Sequence, residues 1–179
     1  MRRLVLLALL LACGLFLREA PPARASTTIY CGLLATCTCT MTAPSSINFG
    51  VYDPFGSTDA TVSGTVSVTC TSFGVISGGV SYEIHLTAGS SGSFAARKMN
   101  PSAGGGQATY NIYKDSGYAT VMGDGTGSSG VYSYTCSIGL LGLQGGCVAN
   151  FNYYGRVPFG QSTLAPGTFT DTLVWSFNY

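Results

Sequence analysis

Apolar and polar positions alternate with a period of two along much of this chain. Val62, Gly64, Val66, Val68 and Cys70 interleave with Thr61, Ser63, Thr65, Ser67 and Thr69. Val80, Tyr82, Ile84 and Leu86 interleave with Ser81, Glu83, His85 and Thr87. Ala108, Tyr110 and Ile112 repeat the pattern, and Phe151 and Tyr153 lead into Tyr154-Gly155-Arg156-Val157. The C-terminus runs Phe169, Asp171, Leu173, Trp175, Phe177, Tyr179 against Thr170, Thr172, Val174, Ser176 and Asn178. A two-residue period puts alternate side chains on opposite faces of a strand, so these stretches predict half-buried strands. Their β-branched and aromatic residues suit a pleated surface. Turn signals separate them, among them Asp53-Pro54, Ser77-Gly78-Gly79, Gly104-Gly105-Gly106, Gly123-Asp124-Gly125 and Pro166-Gly167. No window carries an amphipathic helical stripe. Many short strands at this spacing predict an antiparallel sandwich or barrel in a single domain.

The first residues follow another rule. Arg2 and Arg3 precede a 14-residue apolar run from Leu4 to Leu17, and Ala23-Arg24-Ala25 supplies a small-x-small site. This is the pattern of an export signal cleaved before Ser26. The run is too short for a stable membrane anchor, so no stable membrane insertion is expected. Leu10-Leu11-Ala12-Cys13 offers a rival lipobox, but the apolar run continues past Cys13. The expected division is therefore 1–25 signal peptide, 26–38 N-terminal extension and 39–179 β-domain.

Charge narrows the functional classes. Only 8% of the residues are charged, against about 25% in a typical soluble domain. After Ala25 there are four basic and six acidic residues, and the only adjacent basic pair is Arg97-Lys98. A phosphate-tracking surface needs clustered Lys and Arg, so nucleic-acid binding is not expected.

Outside the signal lie six cysteines: Cys31, Cys37, Cys39, Cys70, Cys136 and Cys147. An even count in an exported chain points to disulfides, and six cysteines allow fifteen connectivities. Cys70 ends one strand pattern and Cys39 starts another extended segment, so a bridge between neighbouring strands fits there. Cys136 and Cys147 bracket the stretch SIGLLGLQGG, and Cys31 is left with Cys37. Zinc sites usually space paired cysteines by two residues or more, and Cys37-Thr38-Cys39 does not.

Candidate chemistry is sparse. His85 is the sole histidine and falls on the polar face of its strand, with no G-x-S-x-G elbow to mark a nucleophile. Gly123-Asp124-Gly125-Thr126-Gly127 lacks the lysine of a P-loop and the acidic spread of an EF-hand. Nothing places Asp53, Asp59 and Glu83 as a glycosidase pair. Neither an enzyme nor a cofactor is expected. The last strand is more informative, because its large aromatic face must be covered or it becomes a template for other chains.

In order along the chain, several motifs resemble the spore coat protein U domain, shared with pilins of the archaic chaperone–usher pathway. They are Cys39 with Ile47-Asn48-Phe49-Gly50-Val51-Tyr52-Asp53-Pro54, Gly64 through Thr71, and Gly92-Ser93-Phe94-Ala95-Ala96-Arg97-Lys98-Met99. Tyr110-Asn111-Ile112-Tyr113, Gly123 through Gly127, Tyr154 through Pro158, Pro166-Gly167 and the ending from Phe169 complete the set. The resemblance implies an immunoglobulin-like sandwich lacking its final strand, with Cys39 and Cys70 joined. It also implies partners: a periplasmic pilus chaperone that lends a strand, an outer-membrane usher, and other pilin subunits whose N-terminal segments replace the loan. This is β-strand addition.

On that footing Phe169, Leu173, Trp175, Phe177 and Tyr179 are expected to line the strand-exchange groove, and Ile29 and Leu33 to be donor residues. Two features depart from the pattern. The donor segment is short and carries Cys31 and Cys37, which suits a terminal or minor subunit. The insert between Cys136 and Cys147 carries Leu140, Leu141 and Leu143, expected as an apolar tip that touches a surface or another subunit. The function expected is a structural subunit of a surface fibre, periplasmic in transit. The alternatives are a spore or cell-coat protein, and a secreted carbohydrate-binding sandwich using Tyr113, Tyr118 and Tyr132.

Overall fold

The computed structural model describes residues 23–32, 35–74, 78–102, 104–137 and 146–179. Residues 1–22 of the expected signal segment, Leu33, and the Leu140, Leu141 and Leu143 tip lie outside the described residues, while residues 23–25 begin the first strand. Ten strands are described: β1 (Ala23–Gly32), β2 (Ala35–Ala43), β3 (Ala60–Gly74), β4 (Gly79–Leu86), β5 (Arg97–Pro101), β6 (Ala108–Tyr113), β7 (Tyr132–Ser137), β8 (Gly146–Val157), β9 (Phe169–Thr170) and β10 (Trp175–Asn178). A single 3-10 turn at Gly89–Ser91 precedes β5. The fold is all-β, with every named strand pair antiparallel.

The strands form two sheets. One has seven strands in the order β1-β2-β3-β8-β6-β5-β9, the other three in the order β10-β4-β7. Between them lies the core, built from the inward half of each alternation. Met41, Val66 and Val68 of the large sheet and Tyr82, Ile84 and Leu86 of the small one are all buried. Burying such a side chain contributes about 1.5–3 kcal/mol, so the period-two pattern is the main source of cohesion. The arrangement is an immunoglobulin-like sandwich.

Three disulfides staple it. Cys31–Cys37 closes the β1–β2 hairpin, Cys39–Cys70 ties β2 to β3, and Cys136–Cys147 joins β7 of the small sheet to β8 of the large one. Cys37, Cys39, Cys70 and Cys136 are fully buried. A bridge of this kind typically contributes about 2–4 kcal/mol, largely by restricting the unfolded chain.

Two elements differ from the sequence reading. The final alternation is not one strand but two short ones, and residues 171–174 lie outside any ladder. The reason is Asp171, whose carboxylate turns sideways. Oδ2 accepts the Tyr110 hydroxyl at 2.6 Å, and Oδ1 accepts the Ser90 N–H at 2.8 Å. Gly89 makes room for it, since a Cβ there would overlap Asp171 Oδ2, and its φ of +72° favours glycine besides. The second difference is the N-terminal extension, which folds back on its own chain as β1. Its ladder with β2 runs from Ala23↔Ala43 to Gly32↔Ala35.

Candidate functional site

Residues 46–52, after β2, join no ladder; they turn at Gly50, whose φ is +73° and whose N–H donates to Asn48 Oδ1 at 2.8 Å. Opposite them runs another unladdered stretch, residues 171–174. Between these two banks lies a cleft of about 260 Å³. Ile47 and Phe49 stand on one bank, Leu173 and Trp175 on the other, and Tyr110 and Ile112 of β6 form the floor. A second cleft of about 540 Å³ continues from it toward Phe55 and Leu164. The two share Ile47, Phe49, Met99 and Phe169, so they form one trough. β10 borders this region and, among the described residues, is an edge strand that pairs with β4 alone.

The floor is held rigidly. Phe49 meets Tyr110 edge-on at 5.8 Å, and Trp175 rests against Tyr153 at 5.8 Å. Beside it sits Arg97, the largest fully buried side chain. Its Nε and Nη2 donate to the Thr87 carbonyl at 3.1 and 2.8 Å, Nη2 donates to the Met122 carbonyl at 2.7 Å, and Nη1 donates to Asn111 Oδ1 at 2.6 Å. Burial lowers its pKa to about 10, so it is still charged at neutral pH. These bonds offset the cost of burying a cation. They tie β4, β5, β6 and the Met122 loop behind the trough.

Phe169, Leu173 and Trp175 line the trough. Phe177 and Tyr179 do not. Phe177 stacks on Tyr82 at 4.9 Å, and Tyr179 is exposed, its hydroxyl accepting from Thr27 at 2.9 Å. Ile29 pairs with Cys37 of its own chain and packs half-buried on its own core. Ile47, Phe49, Tyr110 and Ile112 complete the site from segments far apart in sequence. Tyr110 and Ile112 showed in the alternation of their strand, and Ile47 and Phe49 only within the motif from Ile47 to Pro54.

The other candidates are engaged locally. His85 Nε2 lies 2.9 Å from Glu83 Oε2. Asp59 accepts from Arg156 Nε at 2.5 Å and from the Phe159 N–H at 2.9 Å, and these donors lower its pKa. Asp53 accepts from the Phe55 N–H, and Asp124 from the N–H and hydroxyl of Thr126. Tyr113 meets Tyr118 edge-on at 5.3 Å, and Tyr132 stacks on Phe151 at 5.0 Å. The sulfurs of Cys70, Cys136 and Cys147 gather within 4.8 Å of one another. Each is in a disulfide, which is not the thiolate a metal takes.

These features define a disulfide-stapled β-sandwich with an apolar trough beside two unladdered segments. The family profile described as Spore Coat Protein U domain matches residues 24–176. The chain belongs to that family, and membership supports a structural role at a cell surface or in secreted material. A search of the curated proteins returns no match. Among the described residues no helix is long and apolar enough to cross a membrane.

Proposed function

We propose that this chain is a structural, non-enzymatic subunit of a surface fibre that receives an extended strand from a partner. The observation that carries this reading is the trough. Residues 46–52 on one bank and 171–174 on the other have no ladder partners among the described residues, and the walls carry large apolar side chains, with Trp175 on the edge strand β10. A donated strand supplies backbone hydrogen bonds to such banks, and its alternate side chains fill the pockets between them. In transit the strand comes from a periplasmic chaperone. At the outer-membrane usher another subunit's strand replaces it. No bond is made or broken; binding energy alone drives the exchange.

Acceptance is better supported than donation. Ile29 lies in a strand already laddered to β2 and tethered by Cys31–Cys37, so the N-terminal segment is occupied at home.

The test is periplasmic expression with and without the cognate chaperone. The expected result is aggregation or degradation alone and a soluble one-to-one complex together. Trp175→Asp, which puts a charge in the trough wall, is expected to abolish the complex. A monomer that melts reversibly without the chaperone, or unchanged co-purification of the variant, would overturn the reading.

A further inference from the structure

The outer face of the large sheet has a chemistry of its own. Register places Thr28, Thr38 and Thr71 in one row across β1, β2 and β3, and Ser26, Thr40 and Thr69 in the next. Thr42, Ser67 and Asn150 make a third row, running onto β8. Rows of this kind repeat about every 4.7–4.9 Å across the strands and about 6.8 Å along them, by strand geometry. Neighbouring hydroxyls bond one another, Thr28 with Thr38 at 3.0 Å and Thr40 with Ser26 at 3.3 Å. Each hydroxyl has one proton and two lone pairs, so pairing leaves capacity for a ligand.

One end of this array is aromatic. Tyr30, Thr36 and Phe73 form the row beyond Thr28. Tyr30 is 89% exposed and Phe73 80% exposed. They stand two strands apart, about 9.5 Å by the inter-strand spacing. That span matches one disaccharide repeat of an extended sugar chain. No charged residue lies in the rows from Tyr30 to Ser26. The nearest charges on this face are Arg24, upstream of the expected cleavage site, and Arg156, which is paired with Asp59. Exposed edge strands are commonly guarded by lysine, and β1 carries none.

We propose that the outer face of β1, β2 and β3 is a binding platform for a neutral, extended, β-linked polysaccharide. Tyr30 and Phe73 stack on alternate sugar rings, and the threonine rows hydrogen-bond the sugar hydroxyls. An uncharged array loses little by giving up water to another uncharged polyol, whereas an anionic polymer finds no cation here. The platform is on the opposite face of the sheet from the trough, so it does not depend on strand acceptance.

The experiment is retention of the full exported, oxidised chain, free or in complex with its chaperone, on microcrystalline cellulose, with soluble alginate as the anionic comparison. The wild type is expected to be retained on cellulose and to ignore alginate. Tyr30→Ala with Phe73→Ala is expected to lower retention at least tenfold, while Tyr30→Trp with Phe73→Tyr keeps it. Both pairs change exposed side chains only, and circular dichroism checks that they fold. Failure of the wild type to bind cellulose, or equal retention of the alanine pair, would overturn the proposal. So would a change in self-association by sedimentation at unchanged cellulose retention, which would make this face a contact between copies.

Discussion

The Tyr153 ring lies across Gly64, its direct partner in the β3–β8 ladder, and occupies the space a Cβ at position 64 would need. From there Tyr153 reaches Trp175, so a missing side chain on β3 sets the wall of the trough. Glycine weakens a strand interior unless something needs the close approach, and here an aromatic ring fills the gap. Gly64→Val is expected to displace Tyr153 toward Trp175 and destabilise the fold by about 1–3 kcal/mol, as overpacking does. Urea denaturation measures the loss, and Trp175 fluorescence is expected to shift with it.

Tyr110 and Asp171 hold the other bank. A hydrogen bond to a charged group contributes about 1.5–3 kcal/mol, and here it also pins residues 171–174 against β6. Tyr110→Phe removes the donor and leaves the Ser90 and Thr172 N–H groups on Oδ1. The expected result is a loss of stability in that range. Faster hydrogen exchange is expected at the Val174 amide, which bonds Thr87 Oγ1 at 2.9 Å. Unchanged exchange at Val174 would show that the segment is held elsewhere.

The particular residues also show what could be read in advance. β3 as far as Cys70, β4, β6 and the later part of β8 were legible because their inward positions are apolar or glycine. β5 was not, because its inward residue is Arg97, a cation that only a buried set of carbonyls makes tolerable. β7 was missed because five of its six residues remain at least partly exposed, leaving Cys136 as its one buried anchor. The trough was half legible. Leu173 and Trp175 stood out in the final alternation, but the opposite bank joins Ile47 and Phe49 to residues more than a hundred positions away. The kink at Asp171 depends on a tertiary bond to Tyr110, which no local pattern encodes.

Tyr82 is buried, and its hydroxyl has no hydrogen-bond partner among the described residues. A buried polar group without a partner costs desolvation energy with nothing in return. Tyr82→Phe is therefore expected to leave stability unchanged or raise it by up to about 1 kcal/mol, while keeping the stack on Phe177. Thermal denaturation decides, and a marked loss would reveal a partner for the hydroxyl.

Burial pushes the phenols of Tyr82 and Tyr132 up to about 12. In the unfolded chain tyrosine ionises near 10. The folded state thus holds these protons more tightly, so their contribution is complete below about pH 10 and lost as pH rises through about 12. Tyrosinate absorbance from Tyr82 and Tyr132 is expected only as the pH approaches about 12, together with unfolding by circular dichroism. Their ionisation near pH 10 with the fold intact would contradict the burial of these rings.

Cys31–Cys37 decides whether β1 stays at home. Beyond the disulfide, β1 is held by its ladder to β2, by the Gly78 N–H on the Cys31 carbonyl at 2.7 Å, and by the Thr27 bond to Tyr179. Replacing both cysteines with serine removes about 2–4 kcal/mol of restraint and leaves the other two bridges intact. Amides of Thr27 to Tyr30 are then expected to exchange faster, while those of β3 and β8 keep their protection. If β1 is a donor strand held in reserve, Cys31→Ser with Cys37→Ser forms longer polymers than the wild type when mixed with chaperone-bound subunits. If the chain is an acceptor only, exchange accelerates but polymer length does not change. Size-exclusion profiles of the two mixtures separate these outcomes, because loss of the trough itself, as in Trp175→Asp, abolishes polymers altogether.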